Sequence, residues 1–85
     1  MNDAEGRIDA TRGALEAACR ESGVFVTGDG RIGEADAAAL LGLAPATLAN
    51  KRDLLEGPPS FRLGCAGHRV TYRIADLAAW IESRR

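Results

Sequence analysis

The chain has little of what very small proteins use as staples. Of its 85 residues, two are cysteine, one is histidine and four are aromatic. Cys19 and Cys65 lie far apart and outside any Cys-x-x-Cys spacing, so in a reducing cytoplasm no disulfide framework is expected. His68 has only Cys65 near it in sequence, whereas zinc needs at least three protein ligands at close quarters. No metal and no cofactor are therefore expected. No serine or cysteine has a histidine partner at a recognisable spacing, and Thr27-Gly28-Asp29-Gly30 lacks the continuation of a phosphate loop, which leaves it as a turn. The chain is not expected to be an enzyme. No apolar run approaches the ~20 residues of a membrane span. The opening Met-Asn-Asp-Ala-Glu-Gly-Arg also lacks the basic and then apolar order of a secretory leader. A cytoplasmic protein with no membrane partner is the expectation.

What is present fits one globular domain. The chain is 46% hydrophobic and 27% charged, which argues against a wholly disordered tail. With only Phe25, Phe61, Tyr72 and Trp80 as aromatics, the core must be mostly Ala, Leu, Ile and Val, and helix should dominate. The net charge of −1 counts at first against nucleic acid. Its distribution does not: residues 1–43 carry four Arg against eight Asp and Glu. Residues 44–85 carry seven Lys and Arg (Lys51, Arg52, Arg62, Arg69, Arg73, Arg84 and Arg85) against four acids. A phosphate backbone responds to the local field, so a basic half on a near-neutral chain is informative.

Periodicity predicts a first helix over residues 3–22, with Ile8, Leu15, Ala18 and Cys19 at helical spacing and Ser22-Gly23 as a stop. Its apolar stripe is thin, so this helix is expected to lean on the rest of the domain or on a second copy. Val24-Phe25-Val26 is a short β-prone run before the turn at 27–30. A second helical unit runs from Ile32 to Leu43, with Gly33 at the N-cap, Asp36 placed to reach back to a free amide, and Gly42 as the stop. Pro45 suits the first position of another helix, which holds Leu48, Leu54 and Leu55 as buried candidates and stops at Gly57-Pro58-Pro59. Two short helices joined through a glycine-containing turn form a helix-turn-helix pattern.

Residues 60–63 and 69–73 alternate in polarity around Gly64-Cys65-Ala66-Gly67-His68, as a β-hairpin does. A last helix starts near Ala75-Asp76, with Leu77, Trp80 and Ile81 on its apolar face. Trp80, Tyr72, Phe61 and Leu77 are expected to join hairpin and helix in the core. The expected fold is mainly α with a small antiparallel β-hairpin: a winged helix-turn-helix with an additional N-terminal helix. Residues 1–31 would support it or dimerise, and residues 32–85 would form the DNA-binding domain.

The segment from Ile32 to Arg84, about three fifths of the chain, resembles the AlpA/excisionase-like branch of the MerR-type winged helix-turn-helix superfamily. The resemblance rests on IGEADAAALLGLAPATLAN for the two-helix unit, EGPPSFRLG for the linker and first wing strand, and HRVTYRIADLAAWIESR for the second strand and closing helix. It implies a small DNA-binding protein of phages, integrated elements or their hosts, acting as an excisionase, a recombination directionality factor or a transcriptional regulator, without catalytic centre or cofactor. Its second helix would enter the major groove, and the wing would follow the backbone or the neighbouring minor groove. The sequence departs from the pattern at Gly33 and Ala44, where Thr or Ser is commoner at the caps, and at Lys51, where an aromatic is usual. The wing loop is also a little longer and less basic than usual, and the first 31 residues lie outside the resemblance.

In such a fold, base contacts come from the exposed N-terminal part of the second helix. Ala46, Thr47, Ala49 and Asn50 are the candidates there, since Asn pairs bidentately with adenine and a Thr or Ala methyl meets thymine. Asn50 could equally be a plain exposed polar residue and Thr47 a local cap. Lys51 and Arg52 could clamp phosphates, or form a solvated face paired with Asp53 or Glu56. Arg62, His68 and Arg69 are the wing candidates, with Arg69 first. Arg73 could pair instead with Asp76.

The expected partner is double-stranded DNA, bound by a homodimer through helix 3–22 or by copies side by side on repeated sites, with nucleoid association as a consequence. A recombinase or another regulator is a further candidate partner. Two alternatives remain: a packaging-site binder like a phage small terminase subunit, and a protein-interaction module that has lost DNA.

Overall fold

The computed structural model describes residues 3–63 and 69–84. Its elements in chain order are α1 (Asp3–Ser22), β1 (Arg31–Gly33), α2 (Glu34–Leu41), α3 (Pro45–Asp53), β2 (Phe61–Leu63), β3 (Arg69–Arg73) and α4 (Ile74–Ser83). The protein is mainly helical with a small three-stranded antiparallel sheet. Cys65 and His68 lie outside the described residues.

The predicted hairpin is present, and it gains a third strand. β3 is central, pairing with β2 on one edge and with β1 on the other. In register, Arg31, Ile32 and Gly33 face Arg73, Tyr72 and Thr71, while Phe61, Arg62 and Leu63 face Thr71, Val70 and Arg69. Because strand side chains alternate, Ile32, Arg62, Val70 and Tyr72 share one face of the sheet, and Arg31, Phe61, Arg69, Thr71 and Arg73 share the other. The first face packs into the core. Ile32, Val70 and Tyr72 bury there with Ala37 and Ala38 of α2, Leu48 of α3, and Ile74, Leu77 and Ala78 of α4.

α1 leans on its own domain. Leu15 and Cys19 are buried, Ile8 packs beside them, and the helix lies along α4. Glu82 fastens the pair from the side, accepting a 2.8 Å hydrogen bond from Thr11 Oγ1 and lying 3.5 Å from Arg7 Nε.

Four expectations are corrected. Val24-Phe25-Val26 is not a strand: it joins neither outer edge of the sheet, whose third strand is β1 instead, and Phe25 is left exposed. Leu54 and Leu55 are exposed rather than buried, because α3 ends at Asp53 and the chain turns away before either reaches the core. Phe61 and Trp80 are only half-buried. Arginines cover them instead of core side chains: Arg31 and Arg73 lie over Phe61, and Arg84 lies 4.8 Å from the Trp80 ring centroid. Arg73 thus stacks rather than pairing with Asp76. Asp36 makes no capping bond among the described residues; Gly33 holds the N-cap of α2 with backbone alone.

Three helices close in the same way. After α1, Val24 N donates to Cys19 O and Gly23 N to Arg20 O; after α2, Leu43 N donates to Ala38 O and Gly42 N to Ala39 O. These are Schellman closures with glycine in the left-handed conformation. After α3 the same pair of bonds runs from Glu56 N to Lys51 O and from Leu55 N to Arg52 O, but the left-handed residue is Leu55, at φ 57°. A Cβ in that conformation costs roughly 1–2 kcal/mol, and Leu55 is 93% exposed, so packing does not offset it. Leu55→Gly is expected to raise stability by about 1 kcal/mol. Urea denaturation checks this, and an unchanged or lower midpoint would contradict it.

Candidate nucleic-acid interface

α3 starts without a side-chain cap. Ala44 is the N-cap, and its carbonyl accepts from Thr47 N at 3.0 Å and Leu48 N at 3.1 Å. Pro45 follows at the first position, where its missing N–H costs nothing. Along nine residues only Leu48 is fully buried. At 3.6 residues per turn, Ala46, Asn50 and Asp53 lie on the side opposite Leu48, with Thr47 on its flank next to Asn50, and all four are exposed. Ala49, Lys51 and Arg52 lie at the margins, half-buried. The structure therefore brings Ala46, Thr47 and Asn50 together on one open face, with Ala49 beside it.

The inward margin of α3 is fixed by a carboxylate that the sequence reading did not single out. Glu34, first residue of α2, accepts from Arg52 Nε at 2.8 Å and Nη2 at 3.2 Å. The Tyr72 hydroxyl donates to the same carboxylate at 2.7 Å. The Arg52 and Glu34 side chains are 21% and 20% exposed, so this fork is shielded from water on most sides. Its charge chemistry is consistent. The Arg52 guanidinium, and then the Tyr72 hydroxyl, hold the Glu34 carboxyl below its ordinary 4.5. Burial, and then the Glu34 carboxylate, push the Tyr72 phenol up. The remaining Arg52 nitrogen, Nη1, lies 3.4 Å from Asp53. Arg52 is thus bound to carboxylates within the fold, with Glu34 as its chief partner and the expected Asp53 as the more distant one. Lys51 has no ion pair among the described residues.

The wing candidates divide between the two faces of the sheet. Arg62 is exposed on the face that carries Val70 and Tyr72, the side on which α3 packs, and its charge is felt at Glu34. Arg69 is exposed on the reverse face, with Thr71 and Arg73. His68 lies outside the described residues. Strand parity thus sets Arg62 on the sheet face that the helices cover, near Glu34, and Arg69 on the face turned away from them.

Leu54 and Leu55, 57% and 93% exposed, extend the open side of α3 at its C-terminal end. Among the described residues, no group of three His, Cys, Asp or Glu side chains is placed to hold a metal ion. No described helix is long and apolar enough to cross a membrane. Comparison with known proteins finds no matching family model, no similar curated protein and no similar solved structure.

Proposed function

We propose that the chain binds double-stranded DNA in a sequence-reading manner, as a winged helix-turn-helix protein in the role of an excisionase-like or AlpA-like regulator. In this reading α2 and α3 are the helix-turn-helix, α3 enters the major groove, and the β2–β3 hairpin is the wing. The observation that carries it is the two-sided character of α3. Leu48 and the Arg52–Glu34–Tyr72 fork hold one side rigidly, while Ala46, Thr47 and Asn50 stand open on the other. A rigid backing with a small-residue and amide face suits a helix that must approach base edges closely.

The roles divide by chemistry. Asn50 offers the paired donor and acceptor that adenine matches, and the Thr47 and Ala46 methyls suit thymine. Lys51 at the margin of α3, and Arg62 on the wing strand, supply phosphate contacts that set position without reading sequence. Arg52 acts indirectly, by fixing α3 to α2.

Fluorescence anisotropy on the duplex flanking the protein's own gene and on a scrambled duplex, at several salt concentrations, tests this reading. Tighter binding to the native duplex with a modest salt slope supports it. Equal and steeply salt-dependent binding to both removes the sequence-reading claim. No binding at low salt removes the DNA claim and favours a protein-interaction module.

A further inference from the structure

The reverse face of the sheet has a different composition from the side that carries α3. The register collects Arg31, Arg69 and Arg73 there with Phe61 and Thr71. Phe61 is a seat for guanidinium groups: Arg73 Cζ lies 5.0 Å and Arg31 Cζ 5.8 Å from its ring centroid. Stacking on a ring leaves the N–H edges of a guanidinium turned outward, where they can grip an anionic oxygen. Arg31 is also held by Asp29, 2.9 Å from its Nε. Arg69 and Arg73 are exposed, and neither has an acidic partner among the described residues. They stand four residues apart on one strand, roughly 13 Å at the usual rise.

Phe25 is the second observation. The loop after α1 carries this ring to the β1 edge of the sheet, where it borders a small notch with Arg31, Gly33, Asp36, Arg69 and Thr71. Phe25 is 77% exposed. An aromatic ring left in water beside Arg69 has no structural gain to offset its exposure.

We propose that this face is a binding site for single-stranded DNA, separate from the duplex-reading side. Arg69 and Arg73 would hold successive parts of the backbone, and an unpaired base would stack on Phe25. Cationic side chains along the backbone with an aromatic platform for bases are the recurrent means of holding unpaired strands. A duplex fits less well, because its bases are already stacked and Phe25 would gain nothing. An acidic peptide would use the arginines but would not require a flat ring. The proposal does not depend on the duplex reading, since it uses none of the α3 residues and strand parity puts Arg69 and Arg73 on the sheet face away from the core.

The test is anisotropy with a short labelled oligothymidylate, run in parallel with the native duplex. The wild-type protein should bind the oligothymidylate at low salt. Phe25→Ala should weaken that binding about tenfold, and Arg73→Gln several-fold, with duplex affinity unchanged. Both residues are exposed, and circular dichroism confirms that each variant is folded. Asn50→Ala should leave oligothymidylate binding intact. Three results would overturn the proposal: no binding of the oligothymidylate, binding indifferent to Phe25→Ala, or displacement by oligoglutamate as effective as by unlabelled oligothymidylate. A loss of duplex binding alone would count against the duplex reading and leave this one standing.

Discussion

Leu48→Ala is expected to lower the unfolding free energy by about 3 kcal/mol, the usual cost of truncating a fully buried leucine. Leu48 is the only fully buried residue of α3, and its side chain meets the core shared by the sheet, α2 and α4. The neighbours on that side are largely fixed: Ala37 and Ala38 have no side chain to swing into a void, and Tyr72 is held through its hydroxyl. The cavity would therefore collapse poorly, which places the cost in the middle of the range rather than at its foot. A domain of this size has only about 5–10 kcal/mol in total, so the loss is large. Thermal or urea denaturation measures it. A change below about 1 kcal/mol would mean that α3 is not anchored through Leu48.

The second large effect concerns Glu34. Glu34→Ala removes the common acceptor of Arg52 and Tyr72 and leaves a mostly buried guanidinium and a buried hydroxyl without it. Removing one partner of such a group costs several kcal/mol when burial is complete. Here Arg52 can still turn to Asp53 and to water, so about 2 kcal/mol is expected. The pH dependence has a definite sign. The folded carboxyl titrates below its ordinary 4.5, so its stabilisation is fully present above that value and is lost as pH falls through the lower folded value. The gap between wild type and Glu34→Ala should be constant around neutral pH and should narrow on the acid side of 4.5. Denaturation midpoints across that range check it, and a gap that persisted at low pH would contradict the assignment.

Several elements were legible in the sequence because their signals are local. α1 has the bounds Asp3–Ser22 that helical spacing and the Ser22-Gly23 stop predict. Gly42 and Pro45 similarly mark the break between α2 and α3, and the alternation in Arg69-Val70-Thr71-Tyr72-Arg73 marks the central strand. What was not legible depends on partners distant in sequence. β1 has three residues, too few to show alternation, and it is a strand because Tyr72 and its neighbours offer it an edge. Val24-Phe25-Val26 has better strand propensity but pairs with no strand of the sheet. Leu54 and Leu55 continue an apolar pattern beyond the point where the helix stops. Their exposure follows from the left-handed turn at Leu55, which no propensity for leucine would indicate.

The candidate site shows the same division. Ala46, Thr47 and Asn50 were selected from helical position, and the structure sets them on one open face. The Glu34 acceptor lies 18 residues from Arg52 and 38 from Tyr72, with no spacing that signals it. The separation of Arg62 from Arg69 needed the pairing register, since both read as basic wing positions until their partners Val70 and Leu63 were known.

The central claim is that the open face of α3 reads bases, and Asn50→Ala tests it most directly. Asn50 is exposed and makes no packing contribution that would confuse the result. Measured by anisotropy against the native and the scrambled duplex, the variant is predicted to lose about tenfold or more in affinity for the native duplex while its binding to the scrambled one stays the same. A variant that binds both duplexes as the wild type does would contradict the account.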